Sequence, residues 1–127
     1  IVRNGELLAV GHHERFGGPH AEIEALRRVA TDALAGTTWY VTLEPCSHYG
    51  KTPPCVESVI AARPRRVVIG VQDPFIQVQG RGIAALQQAG IEVSVGCQAD
   101  ACRQLLAPYL YRIEKKMPWV IAKWAMT

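Results

Sequence analysis

The chain has 127 residues, 49% of them hydrophobic and 20% charged, with a net charge of +3; these values describe one globular domain, long enough to bury a sizeable core. No apolar run approaches the roughly 20 residues of a membrane span, and no secretory signal pattern opens the chain. The mild positive charge suits an anionic small molecule and is too small to define a nucleic-acid surface, while four cysteines, two of them in a metal-ligand pattern, favour a reducing compartment, by default the cytoplasm.

Ile1-Val2-Arg3, Asn4-Gly5 and Glu6 to Val10 read as a β-hairpin around the strongest short turn signal. A chain that opens on Ile1-Val2-Arg3, without a methionine, reads as a segment of a longer protein. Gly11 to Pro19 is a loop holding His12 and His13, and its Gly17-Gly18 pair can bring backbone close to a ligand. From His20, the apolar positions Ile23, Leu26, Val29 and Ala30 have helical spacing. Thr37 to Leu43 is a strand rich in β-branched and aromatic residues, delivering Glu44-Pro45-Cys46 at its end. Pro53-Pro54 start a helix that runs through Ala61 and has Cys55 in its first turn. Arg66 to Val71 has the near-continuous apolar character of a buried strand. A loop to Arg81, a helix from Gly82 to Ala89 and a strand from Ile91 to Val95 follow. Ala99 to Lys116 reads as a helix with a break near Pro108, and Trp119 to Trp124 as a last extended piece. The alternation predicts a three-layer α/β/α domain with a central mixed, largely parallel sheet. Ligands gather at strand carboxyl ends in such sheets, and both Glu44-Pro45-Cys46 and Gln72-Asp73-Pro74 fall there.

The chemistry concentrates in His20-Ala21-Glu22 and in the stretch from Pro45 to Cys55. Zinc takes imidazole nitrogen and thiolate sulfur, and a catalytic site uses three protein ligands and leaves the fourth position for water. His20, Cys46 and Cys55 would be the three ligands, with Glu22 moving protons rather than touching the metal. The order H-x-E then P-C-x-x-C is that of the zinc nucleobase deaminases, although eight residues, not two, separate Cys46 from Cys55 here. Each element has a plainer reading when taken alone: a helix-capping histidine, a solvated glutamate, a disulfide or a structural zinc site. Their coincidence in this order, each beside a predicted helix start, favours catalytic zinc. Cys97 and Cys102 have no histidine nearby and read as inert thiols, and His12 as a loop residue.

The sequence resembles the deaminase domain of the bifunctional riboflavin-biosynthesis deaminase/reductase family. The resemblance is carried by Gly18 to Glu22, Tyr40 to His48, Lys51 to Cys55, Gln72-Asp73-Pro74 and Gly80-Arg81-Gly82. It implies zinc-dependent hydrolytic deamination of diaminohydroxyphosphoribosylaminopyrimidine, a phosphorylated aminopyrimidine, with release of ammonia. Residue by residue, it implies zinc at His20, Cys46 and Cys55, proton transfer by Glu22, and substrate contacts from His13, His48, Lys51 and Asp73. Lys51 is a mobile point charge suited to a phosphate, and Asp73 could accept from an exocyclic amine. The bland alternatives are a solvated loop lysine and a turn-former beside Pro74.

The resemblance divides the chain into a deaminase domain over 1–117 and, over 118–127, a linker and the first strand of a truncated reductase domain; NADPH would matter only where that domain is present. It departs in two places: Phe75-Ile76 stand where the family usually has Asn-Pro, and the family's N-terminal helix is absent from this chain. The expected partner is a small molecule, with neither nucleic acid nor membrane, in a possible homo-oligomer. Rival readings are a deaminase of another base, nucleoside or tRNA, and a non-catalytic zinc-stabilised domain, which would need a fourth protein ligand. His48 is the only candidate for that ligand in the cysteine loop.

Overall fold

The computed structural model describes residues 1–125. Strands β1 (Val2–Arg3) and β2 (Glu6–Leu7) form the antiparallel hairpin. The turn residues Asn4 and Gly5 have φ of 51° and 83°, the two successive positive values that a tight twisted hairpin requires. β1 pairs antiparallel with β3 (Thr38–Leu43); β3, β4 (Arg66–Val71) and β5 (Glu92–Val95) then run parallel. The order across the sheet is β2-β1-β3-β4-β5. The sheet is therefore mixed: the parallel arrangement expected for most of it describes the β3-β4-β5 half, and the hairpin half is antiparallel.

Alternation along the strands builds the layers. Trp39, Val67 and Ile69 point to one face, where α1 (Ala21–Leu26), α2 (Cys55–Ala61) and α3 (Arg81–Gln88) cover them with Val56, Val59 and Leu86 to make the main core. On the opposite face, α4 (Ala99–Leu105) packs on β4, and α5 (Ala107–Lys115) packs on α4. The contact is close at Gly70, where a Cβ would lie 2.3 Å from Cys102 Sγ. Tyr40 of β3, on the same face, is 58% exposed. Among the described residues, no helix is long and apolar enough to cross a membrane.

Three expectations shift. The helix from His20 ends at Leu26 rather than continuing to Ala30. Arg28 N–H and Val29 N–H bond three residues back, to Ala25 and Leu26, which tightens the turn, and the Arg28 guanidinium is drawn to the carbonyl of Val10. A short 3-10 turn, Thr31–Ala33, follows. The break foreseen near Pro108 falls at Leu106, because proline is tolerated in a helix's first turn, where its missing N–H has no intrahelical partner. The last extended piece forms no strand: residues 116–125 lack regular structure, and Trp124 is 80% exposed. Its expected continuation, Met126-Thr127, lies outside the described residues.

Candidate metal centre

Three elements meet at the carboxyl edge of β3. His20 is the N-cap of α1, Cys46 follows β3 after Glu44-Pro45, and Cys55 opens α2. His20 Nδ1 lies 3.2 Å from Cys55 Sγ and 3.5 Å from Cys46 Sγ. The Cys55 backbone N–H donates to Cys46 Sγ at 3.2 Å, so an unpaired amide of the α2 N-terminus is directed at a thiolate. Tetrahedral ligands at about 2.0–2.1 Å for nitrogen and about 2.3 Å for sulfur lie roughly 3.5–3.8 Å apart, and the donor set fits zinc. Among the described residues, His20, Cys46 and Cys55 are the one group of three or more His, Cys, Asp or Glu side chains whose ligand atoms all come within 4.8 Å of one another.

The ionisation of this corner follows from its crowding. The hydrogen bond from Cys55, and then the His20 ring, pull the Cys46 thiol down to about 4. The Cys55 thiol is pushed up, first because it donates that bond and then by burial. His20 is raised chiefly by its hydrogen bond with Cys46. Zinc competes with protons for the Cys55 thiol and the His20 ring, and both upward shifts strengthen that competition. Glu22, in the first turn of α1, is raised above the usual carboxylate range by burial and, to a lesser degree, by the Cys46 charge. A carboxyl shifted towards neutrality beside a metal corner is suited to passing protons in both directions.

The family described as the cytidine and deoxycytidylate deaminase zinc-binding region matches residues 1–71. The chain belongs to it. Over 97% of its length it is 50% identical to the riboflavin biosynthesis protein RibD of Escherichia coli, of which it covers 33%. RibD of Acinetobacter baumannii superposes with a TM-score of 0.88 at 42% identity, over 93% of this chain and 33% of that one. The diaminohydroxyphosphoribosylaminopyrimidine deaminase/5-amino-6-(5-phosphoribosylamino)uracil reductase of Thermotoga maritima gives 0.86 at 39% identity, over 93% and 34%. The chain thus spans about a third of the length of the relatives it matches.

The deaminase-family corner opens onto a groove of about 960 Å³ lined by His20, Glu22 and Cys46. His13, His48, Lys51 and Asp73 line the same groove. His13 Nδ1 is 2.9 Å from the Pro19 carbonyl, and its ring stands edge-on to that of His20 at 5.4 Å. His48 does not join the metal cluster; its ring packs edge-on against Phe75, and its buried Nδ1 has no protein partner among the described residues. Lys51 is exposed, with its ammonium 4.0 Å from the centre of the Phe16 ring. Asp73 is only 4% exposed. Its Oδ1 accepts from Phe75 N–H at 2.9 Å, the turn-forming bond that the sequence allowed, while the residue also lines the groove.

Two residues of the site went unassigned in the sequence. Glu44 is 3% exposed, and its carboxylate accepts four backbone N–H groups. Asp73 and Gly80 donate to Oε2 at 3.2 and 3.0 Å, and Gly82 and Ile83 to Oε1 at 2.9 and 3.2 Å. It thereby caps α3 and closes the loop after β4 against the metal strand. A Cβ at Gly82 would lie 2.2 Å from the Pro45 carbonyl, so this approach needs glycine. The only hint of Glu44's role was a carboxylate ending an apolar strand. Tyr109 of α5 donates its hydroxyl to Asp73, 2.9 Å from Oδ1 and 3.1 Å from Oδ2. Burial and then the Asp73 carboxylate raise the Tyr109 hydroxyl above its ordinary range, so it remains a donor. Nothing in the local pattern around Tyr109 singled it out.

Proposed function

We propose that this domain hydrolytically deaminates the phosphorylated pyrimidine of riboflavin biosynthesis. Diaminohydroxyphosphoribosylaminopyrimidine and water would give 5-amino-6-(5-phosphoribosylamino)uracil and ammonia. The observation that carries this reading is a three-donor cluster with no fourth protein ligand among the described residues, beside a raised glutamate, at the wall of a groove large enough for a nucleotide-sized ligand. The similarity to the Thermotoga maritima deaminase/reductase supports the choice of substrate.

His20, Cys46 and Cys55 would hold the zinc, which when bound supplies a Lewis acid that makes water a nucleophile near neutral pH. Two thiolates and a neutral imidazole leave that centre without net charge, which increases the demand on Glu22. Glu22 takes one proton from the attacking water and gives it to the ring nitrogen; it then takes the remaining hydroxyl proton of the adduct and gives it to the amine, so that the C–N bond breaks, the C=O forms and ammonia leaves. His13 and His48 border the ring from opposite loops. Lys51 reads the phosphate or a ring oxygen, and Asp73 accepts from an amine that does not react. Residues 1–117 form the deaminase domain, and 118–127 lead into a reductase domain, the only part that would need NADPH. Four free cysteines suit a reducing, cytoplasmic setting. Purified protein should release ammonia from this substrate in preference to cytosine, cytidine, adenosine and tRNA. Equal or greater release from any of those would reject the assignment.

A further inference from the structure

The contact between Asp73 and Tyr109 joins two elements that the metal centre does not use. Asp73 is held on three sides: its backbone N–H by Glu44, Oδ1 by Phe75 N–H, and both carboxylate oxygens by the Tyr109 hydroxyl. Each carboxylate oxygen offers two acceptor positions. Phe75 N–H and Tyr109 occupy those of Oδ1, while Oδ2 keeps one that no protein donor fills. Phe75, the next side chain lining the groove, presents a ring and no polar atom. Asp73 and Tyr109, with Arg112 one turn further along α5, bring polar side chains to this wall, and all three line the groove that holds Glu22 and Cys46.

We propose that Tyr109 is a positioning residue: it fixes the Asp73 carboxylate so that its free acceptor position meets a non-reacting exocyclic amine of the substrate ring, and so sets the preference for amine-bearing rings. The inference rests on the pyrimidine reading above. The physical reason is orientation. A carboxylate held by Phe75 N–H alone can turn about its terminal bond, whereas a second donor bridging both oxygens fixes its plane. A fixed, poorly hydrated acceptor discriminates sharply, because a ring lacking the amine leaves it unpaired.

The test is a binding cycle that does not need turnover. 5,6-Diaminouracil and uracil are product-like rings with and without the non-reacting amines, and their affinities are measured by calorimetry on zinc-loaded protein. The parent should prefer the diamino ring by about tenfold or more. Tyr109→Phe should cut that preference by roughly three- to tenfold, and Asp73→Asn should abolish it. Adding Tyr109→Phe to Asp73→Asn should change the preference by less than about twofold, since the tyrosine acts through the carboxylate. Zinc content should be the same in all four proteins, a readout that a general structural defect would disturb. The proposal is overturned if Tyr109→Phe keeps or increases the preference, if the two effects multiply, or if Asp73→Asn keeps the preference. Failure of the pyrimidine reading shows separately, as an absence of ammonia release by the parent.

Discussion

Two loops leave the carboxyl edge of the sheet, and they treat their polar groups in opposite ways. The loop after β4 is nearly saturated with protein partners, one Asp73 acceptor position excepted: Glu44 takes the Asp73 and Gly80 amides, Phe75 N–H caps Asp73, and Tyr109 donates to the carboxylate from α5. The loop from Cys46 to Cys55 is nearly bare. Within it the Gly50 N–H reaches the Thr52 carbonyl at 3.3 Å, while Ser47 Oγ and His48 Nδ1 are buried without a protein partner and Tyr49 is 75% exposed. The first loop is organised before any ligand arrives. The second has buried polar groups left for substrate or water to satisfy. The two nearby glutamates divide in the same way: Glu44 is committed to four amides, and Glu22 lines the groove with its carboxyl raised by burial, the group proposed to exchange protons.

Four experiments sharpen or break that contrast. The largest effect is expected at the uncommitted carboxyl. Glu22→Gln should keep zinc and folding but lower kcat by about 10²- to 10⁴-fold, measured as ammonia release beside metal analysis. A loss of less than about tenfold would assign proton transfer to another group. Glu44→Gln should do the reverse of a chemical defect. Its amide nitrogen must face N–H donors, and the fold should lose about 2–4 kcal/mol in urea unfolding. If stability falls by less than about 1 kcal/mol, the saturated loop does not depend on its anchor.

In the bare loop, Lys51→Met should leave stability and zinc unchanged. It should raise KM for the phosphorylated substrate roughly ten- to a hundredfold, the value of a charge-assisted bond of about 1.5–3 kcal/mol. A dephosphorylated analogue should be nearly indifferent if Lys51 reads the phosphate, and should suffer alike if it reads the ring. An unchanged KM for both would make Lys51 a solvated residue. The smallest effect belongs to Phe16, whose ring lies beneath the Lys51 ammonium. An exposed contact of this kind is worth about 0.5–1 kcal/mol, so Phe16→Leu should raise KM about two- to fivefold, and by nothing further once Lys51 is methionine. A Phe16→Leu effect that survives in the Lys51→Met background would show that the ring touches substrate itself.

The sequence by itself determined the donor set of the metal corner and the elements that carry it. Ligand chemistry is a property of residue type, and His20, Cys46 and Cys55 each stand beside a helix start or strand end that local pattern marks. Arg66 to Val71 was legible for the same kind of reason, since a buried parallel strand announces itself as an apolar run. Tertiary structure decided what local pattern does not encode. Helix α1 gives way after Leu26 to a tighter turn whose Arg28 side chain reaches the Val10 carbonyl, and residues 119–124 join neither of the sheet's edge strands, β2 and β5. The role of Glu44 depends on amides 29 to 39 residues away, and that of Tyr109 on a carboxylate 36 residues away. A hydrogen bond between elements has no local periodicity to betray it; it exists only once β3, β4 and α5 have been brought to the same edge of the sheet.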